Sequence, residues 1–267
     1  MKRNLCFLLG TLLLTACAEQ TKKPVASESN TVLNAITKKY PENLEKVFDA
    51  HGGISQWNKA QTLVYEMVKP DHLEKHTTDL PSRKTRIDGK NFTIGFDGKD
   101  VWLAQKDSTA FRSNARFYHN LYFYFYAMPF VLGDDGITYE KTDSLLYDGV
   151  LYPGIKVSYG ENIGDSPEDN YFLYYDPESY QMEWLGYTVT YFNGEPSDKV
   201  SYIRYGDWQK VKGVLLPKTL TWYHTDDTGK VTEARNTVTF TNVVLTDKEY
   251  SNDTYALPEN AVVVPRE

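Results

Sequence analysis

The stretch Trp184-Leu185-Gly186-Tyr187-Thr188-Val189-Thr190-Tyr191-Phe192 alternates two kinds of side chain. Leu185, Tyr187, Val189 and Tyr191 form one set; Gly186, Thr188 and Thr190 form the other. Successive side chains of a strand point to opposite faces, so this segment has an oily face and a hydroxylated one. Leu220 and Trp222 stand in the same way against Thr219 and Thr221, and Val238 and Phe240 against Thr237 and Thr239. That pattern marks an antiparallel sheet solvated on one side.

Working outward, Leu63, Tyr65 and Met67 alternate with Thr62, Val64 and Glu66. Strands are also predicted over 84–88, 91–96, 100–105, 137–142, 145–148, 155–159, 171–176, 182–192, 199–206, 214–224 and 236–245. Asp88-Gly89 and Asp97-Gly98 are hairpin dipeptides, and Asp176-Pro177, Asn193-Gly194, Lys212-Gly213 and Thr228-Gly229 are further turns. Strand twist accumulates, so an open sheet of this size should curl. The expected fold is mainly β with few helices: a single strongly curved antiparallel sheet, an open half-barrel, with helices covering its concave side. No Gly/Pro-rich linker and no repeat divides residues 31–267, which read as one domain.

Helical spacing appears in three places. Val32, Leu33 and Ile36 precede Pro41, and Leu44, Val47 and Phe48 follow it, with Gly52-Gly53 as the stop. A short turn over Ile54 to Lys59 should pack Trp57 inward. From Phe111 to Leu132, the residues Phe111, Ala115, Tyr118, Tyr122, Phe125 and Tyr126 form an apolar stripe ended by Pro129 or Gly133. Such an aromatic helix has to bury a broad face, and the sheet is the surface available to it.

The N-terminus reads as an address. Lys2 and Arg3 precede an apolar run, Leu5 to Leu14, too short for a spanning helix, which takes roughly 20 residues. It ends in Leu14-Thr15-Ala16-Cys17, which resembles the lipobox of bacterial lipoproteins. Residues 1–16 then form a signal peptide, Cys17 carries the lipid, and residues 17–30 are a polar tether with a reach of about 20 Å. Cys6 lies in the discarded segment, so the mature chain has no thiol for a disulfide or a metal. Without Lys2 and Arg3 the 29 basic residues fall to 27 against 36 acidic ones, a net −9, so attachment must come from acyl chains. Ala18, with no Asp after the cysteine, points to the outer membrane, and the periplasmic side is the expected location.

The 267 residues are 41% hydrophobic and 14% aromatic, which excludes a disordered chain, and the formal charge of −7 disfavours nucleic acid as a partner. A monomer is expected.

Two stretches carry a family resemblance. His51-Gly52-Gly53-Ile54-Ser55-Gln56-Trp57, leading into Leu63-Val64-Tyr65, is similar to the opening of many Bacteroidota lipoproteins that share the fold of the carriers LolA and LolB. Asp97-Gly98-Lys99-Asp100-Val101-Trp102-Leu103 resembles a hairpin of the same carriers. Residues 159–223, with Gly160-Glu161-Asn162-Ile163-Gly164-Asp165 and Asp176-Pro177-Glu178, resemble an uncharacterised outer-membrane lipoprotein family of that fold group. The resemblance implies a concave apolar face that holds acyl chains under a helical lid, and a lipidated chain fits the anchored LolB-like receptors better than soluble LolA.

Catalytic motifs are missing. His72 and His76 flank Glu74, but a zinc-protease helix needs Glu directly after the first His, where Leu73 stands. These are expected to be surface histidines, and His51 is expected to close a helix C-terminus. No Gly-x-Ser-x-Gly elbow, phosphate loop or dinucleotide fingerprint occurs, and Gly133-Asp134-Asp135-Gly136 reads as a tight turn. Asp165-Ser166-Pro167-Glu168-Asp169 and Asp226-Asp227 gather carboxylates without the spaced ligands of a calcium loop. No metal and no cofactor is expected.

The remaining signal is 21 Tyr, 12 Phe and 5 Trp. Tyr is a strand former that a large sheet uses in its core, and that packing role comes first. As the lining of a ligand cavity the candidates are Tyr65, Trp102, Tyr122, Phe125, Tyr126, Tyr187 and Trp222. The leading function is non-enzymatic binding of a lipid, acyl chain or lipoprotein by a protein anchored through Cys17. The alternatives are an envelope hydrolase acting on glycans through Asp165, Glu168 or Asp169, and a structural lipoprotein with an exposed apolar patch.

Overall fold

Helix α1 (Glu42–Ala50) starts where Pro41 fixes an extended backbone (φ −58°, ψ 148°) and its carbonyl takes the Glu45 amide. Glu42 and Glu45 complement the positive end of the helix, and Leu44, Val47 and Phe48 form its buried stripe. Gly52 and Gly53, both at positive φ, turn the chain out. A Cβ on Gly52 would lie 2.2 Å from the Gly213 carbonyl oxygen, so glycine is required there for space as well as conformation. Helix α2 (Ile54–Trp57) follows, with Trp57 stacked on Phe130 at 4.8 Å.

This computed structural model describes residues 39–160, 169–190 and 199–266. The chain divides into Met1–Thr37 and Lys38–Glu267, and the described residues all lie in the second unit. The signal segment, Cys17, the tether, the helical spacing of residues 32–36, Asp165, Glu168 and the Asn193-Gly194 turn lie outside the described residues.

The strands are β1 (Thr62–Val68), β2 (Leu73–Asp79), β3 (Thr85–Asp88), β4 (Phe92–Phe96) and β5 (Val101–Gln105). Helix α3 (Ala115–Tyr126) comes next, then a 3-10 turn (Phe130–Gly133). There follow β6 (Ile137–Tyr147), β7 (Val150–Tyr159), β8 (Asn170–Tyr175), β9 (Met182–Tyr187), β10 (Ser201–Gly206), β11 (Gln209–Val211), β12 (Val214–Leu216), β13 (Thr219–Thr225), β14 (Val231–Thr246) and β15 (Val262–Val264). Thirteen of them form one antiparallel sheet in the order β15-β5-β4-β3-β2-β1-β14-β13-β10-β9-β8-β7-β6, while β11 and β12 pair separately. The sheet is not closed: β15 and β6 are its edges.

β14 begins five residues before the expected 236, β11 and β15 fall outside the expected strands, and two expected strands are divided differently. The strands predicted at 137–142 and 145–148 are one strand with an irregularity between Thr142 and Leu145. The strand predicted at 214–224 is two, because Pro217 cannot donate to a ladder.

One face of the sheet carries the main core with α1, α2 and α3, and this core includes Leu63, Tyr65, Met67, Ile155, Leu173, Leu185, Ile203, Leu220 and Phe240. On the other face Thr221 and Thr237 bond each other at 2.9 Å, as the alternation predicts. That face is not hydroxylated throughout. Trp184 is fully buried there, with Tyr147 at 4.7 Å and Tyr223 at 5.6 Å from Tyr147. Tyr147 sits on the edge strand, three strands from Trp184 and five from Tyr223. Across a flat sheet these strands would stand about 14 and 24 Å away. The end of the β6–β7 hairpin therefore folds over this face, helped by the irregularity after Thr142.

Candidate functional site

Helix α3 is built from poor helix formers, since aromatic residues lose rotamer freedom in a helix. Asn114 caps it, its side chain accepting the Phe117 amide, and burial of its stripe on the sheet supplies the rest of its stability. Three tyrosine hydroxyls hold the carbonyls at its far end and in the following turn. Tyr205 donates to the Phe125 oxygen (2.7 Å), Tyr139 to that of Leu132 (2.6 Å) and Tyr40 to that of Gly133 (2.9 Å).

Under α3, six of the seven candidate residues meet. Tyr65 and Tyr126, both fully buried, lie 4.4 Å apart, and Phe240 packs on Tyr126 at the same distance. Phe125 contacts Tyr187 (5.0 Å) and Trp222 (5.9 Å), and Tyr122 sets its ring edge-on to Trp222 at 6.4 Å. The Trp222 indole donates to the Tyr187 hydroxyl at 2.9 Å. His76, 6.3 Å from Tyr122 and 4.8 Å from Tyr65, joins the two halves of this wall. Trp102 is elsewhere. The register pairs it with Gly95 and Val263 on the opposite face, where its indole donates to the Tyr255 carbonyl. A Cβ on Gly95 would sit 2.1 Å from that indole, so Trp102 fills the space its neighbour leaves.

The sequence reading of His76 as a surface residue is corrected here: it is 2% exposed. On β2 the alternation is inverted. Leu73 faces solvent at 47% exposure, while Glu74 and His76 point into the core. The Tyr65 hydroxyl meets His76 Nδ1 at 3.2 Å, His76 Nε2 lies 2.9 Å from Glu74 Oε1, and Tyr118 donates to the same carboxylate at 2.6 Å. Lys69 Nζ donates to the Tyr118 oxygen at 3.1 Å and stands 3.5 Å from Glu74. Burial pushes the His76 pKa down, so the ring is neutral, with Nε2–H donating to Glu74 and Nδ1 accepting from Tyr65. Burial alone would raise Glu74, but His76, Lys69 and Tyr118 together hold it below its ordinary value. Burial and the nearby carboxylate raise the Tyr118 phenol far above its usual range. The result is a carboxylate held in an aromatic wall. The inverted alternation of β2 was the signal in the sequence that could have found it.

The other candidates serve local structure. His51, fully buried, places Nδ1 2.8 Å from the Val47 carbonyl oxygen at the end of α1. The Asp226 carboxylate takes the Thr228 and Lys230 amides of its own turn. Asp169 accepts the Thr190 amide at 2.7 Å, and burial raises its pKa. Among the described residues no three His, Cys, Asp or Glu side chains assemble as a metal site, and no helix is long and apolar enough to cross a membrane. A shallow recess of about 260 Å³, lined by Glu183, Arg204, Asp207, Trp208, Thr219 and Thr221, opens along β10 and β13.

A family model described as "Family of unknown function (DUF6503)" matches residues 2–237. No curated protein matches. Similar solved structures include a LolA superfamily protein from Nitrosomonas europaea, at 10% identity and a TM-score of 0.43 over 76% of this chain and 96% of that one. A DUF1329 family protein from Desulfovibrio piger is similar at 8% identity and a TM-score of 0.48, over 81% and 98%. A domain named for outer membrane lipoprotein sorting, from Vibrio parahaemolyticus, is similar at 10% and 0.41, over 79% and 97%.

Proposed function

The chain belongs to DUF6503, a family of unknown function, and we propose that it is a non-enzymatic lipoprotein, anchored through Cys17, that holds the hydrocarbon part of a lipid, acyl chain or lipoprotein between α3 and the sheet. The observation that carries this reading is the continuous aromatic wall of Tyr65, Tyr122, Phe125, Tyr126, Tyr187 and Trp222, which ends in a buried polar cluster. Ligand sites pair apolar walls with a few placed polar groups in this way. The reading takes the sheet as an open half-barrel with the helices on its concave side, and the anchor as holding the protein at the periplasmic face of the outer membrane. The test is organic extraction and mass spectrometry of the full chain carrying Cys17→Ser. A stoichiometric amphiphile supports the reading; a protein that copurifies with none, and takes up none from lipid vesicles, refutes it.

A second reading, a partner-binding surface lipoprotein, draws on Leu146 (54% exposed) and its cross-strand neighbour Leu151 (57%) at the end of the β6–β7 hairpin. Replacing both by Ser would abolish association with a partner and leave amphiphile uptake intact.

A further inference from the structure

Glu74 is 3% exposed and its surroundings are aromatic, so its charge needs a cation within reach. Lys69 provides it from the β1–β2 turn. Its Nζ lies 5.3 Å from the centre of the Tyr122 ring, within the range at which an ammonium is drawn to an aromatic face, and donates to the Tyr118 hydroxyl oxygen at 3.1 Å. We propose that Glu74, Tyr118 and Tyr122 form a receptor for the ammonium headgroup of an amphiphile, and that Lys69 is an internal stand-in which such a ligand displaces.

Three observations carry this. The Glu74 carboxylate, the Tyr118 hydroxyl and the Tyr122 ring already hold an ammonium in the structure itself, so the site is sized for one. Lys69 remains 23% exposed on a flexible four-carbon stem, and its backbone amide is held separately by the His72 carbonyl, so its side chain can withdraw without disturbing the turn. Tyr122 belongs to both the cage and the apolar wall, contacting Trp222 at 6.4 Å. A ligand with its ammonium in place of Lys69 would thus run its hydrocarbon chain toward Phe125 and Tyr187. The neutral His76 and the Tyr65 hydroxyl behind Glu74 hold the carboxylate in place without offering a competing positive charge.

The assignment rests on the hydrophobic-ligand reading above and is tested with probes of one tail and different heads. Dodecylammonium, dodecanol and dodecanoate are titrated below micelle formation into the full chain carrying Cys17→Ser. Dodecylammonium is expected to bind about tenfold tighter than the other two. Glu74→Gln should remove that preference and leave dodecanol binding intact. Lys69→Met, which removes the internal competitor and leaves the buried Glu74 carboxylate without its cation, should tighten dodecylammonium binding several-fold and leave dodecanol unchanged. Equal binding of all three heads, or an ammonium affinity unmoved by Lys69→Met, overturns the headgroup assignment while the hydrophobic-ligand reading stands. If no probe binds, both fall together.

Discussion

Tyr118 on α3 donates its hydroxyl proton to Glu74 on β2 across 2.6 Å, joining the N-terminal half of the helix to the sheet through a charge-assisted bond. The opposite end of α3 is held by neutral bonds, chiefly Tyr205 to the Phe125 carbonyl. The helix that covers the aromatic wall is therefore fastened at one end through a buried charge and at the other by neutral bonds to its carbonyls.

Tyr118→Phe removes the charged fastening and leaves Glu74 one donor short. A hydrogen bond to a buried charge is worth about 1.5–3 kcal/mol, which in a domain of this size lowers the melting temperature by roughly 3–10 °C. Thermal circular dichroism measures it. A shift under about one degree would mean that α3 is held by its ring contacts alone.

His51 makes folding depend on pH. Burial lowers its pKa to about 4, and its Nε2 has no partner to receive an added proton. The unfolded chain binds that proton near pH 6.5, so stability is complete above this value and falls as pH drops toward 4. The His51 share of the loss is about 3 kcal/mol. Burial also depresses His76 and the network holds Glu74 low, so both act in the same direction. Denaturant titrations of the wild type and of His51→Gln from pH 7 to 4 isolate the His51 part: the variant should show a shallower decline. Parallel curves would refute the assignment.

Trp222 lies in the aromatic wall, with Phe125 at 5.9 Å, whereas Trp102 is on the other face of the sheet. A bound amphiphile should shift the intrinsic emission of the wild type. Trp222→Phe should abolish most of that change, and Trp102→Phe should leave it intact. Fluorescence titration with dodecanol checks it; a change that persists in Trp222→Phe moves the ligand elsewhere.

Gly52→Ala forces a side chain into a positive-φ position, 2.2 Å from the Gly213 carbonyl oxygen. The α1 stop and the β11–β12 hairpin cannot both keep their places, and destabilisation of about 2 kcal/mol or more is expected. Gly149→Ala, also at positive φ but with open space around it, is the control and should lose less. Equal losses would show that conformation alone accounts for the effect.

The strands with strict alternation were legible in the residues themselves. Leu63, Tyr65 and Met67 face the core as their spacing requires, and Leu220 and Trp222 oppose a threonine row. The aromatic helix was legible too, since only a broad apolar surface can cover its stripe. Trp102 and Trp184 were harder. Trp102 stands between Val101 and Leu103, and Trp184 alternates with the core residue Leu185, so which side is buried depends on register and on what folds over each face, such as the β6–β7 hairpin end above Trp184.

Local periodicity by itself determined that this chain forms a large antiparallel sheet with an aromatic helix laid on it, because the two-residue repeat of a strand and the stripe of a helix are properties of neighbours in the chain. The polar cluster of Lys69, Glu74, His76 and Tyr118 was decided only in three dimensions. Its members come from a turn, a strand and a helix up to 49 residues apart, and the charge of each depends on burial and on partners that only the folded chain brings together.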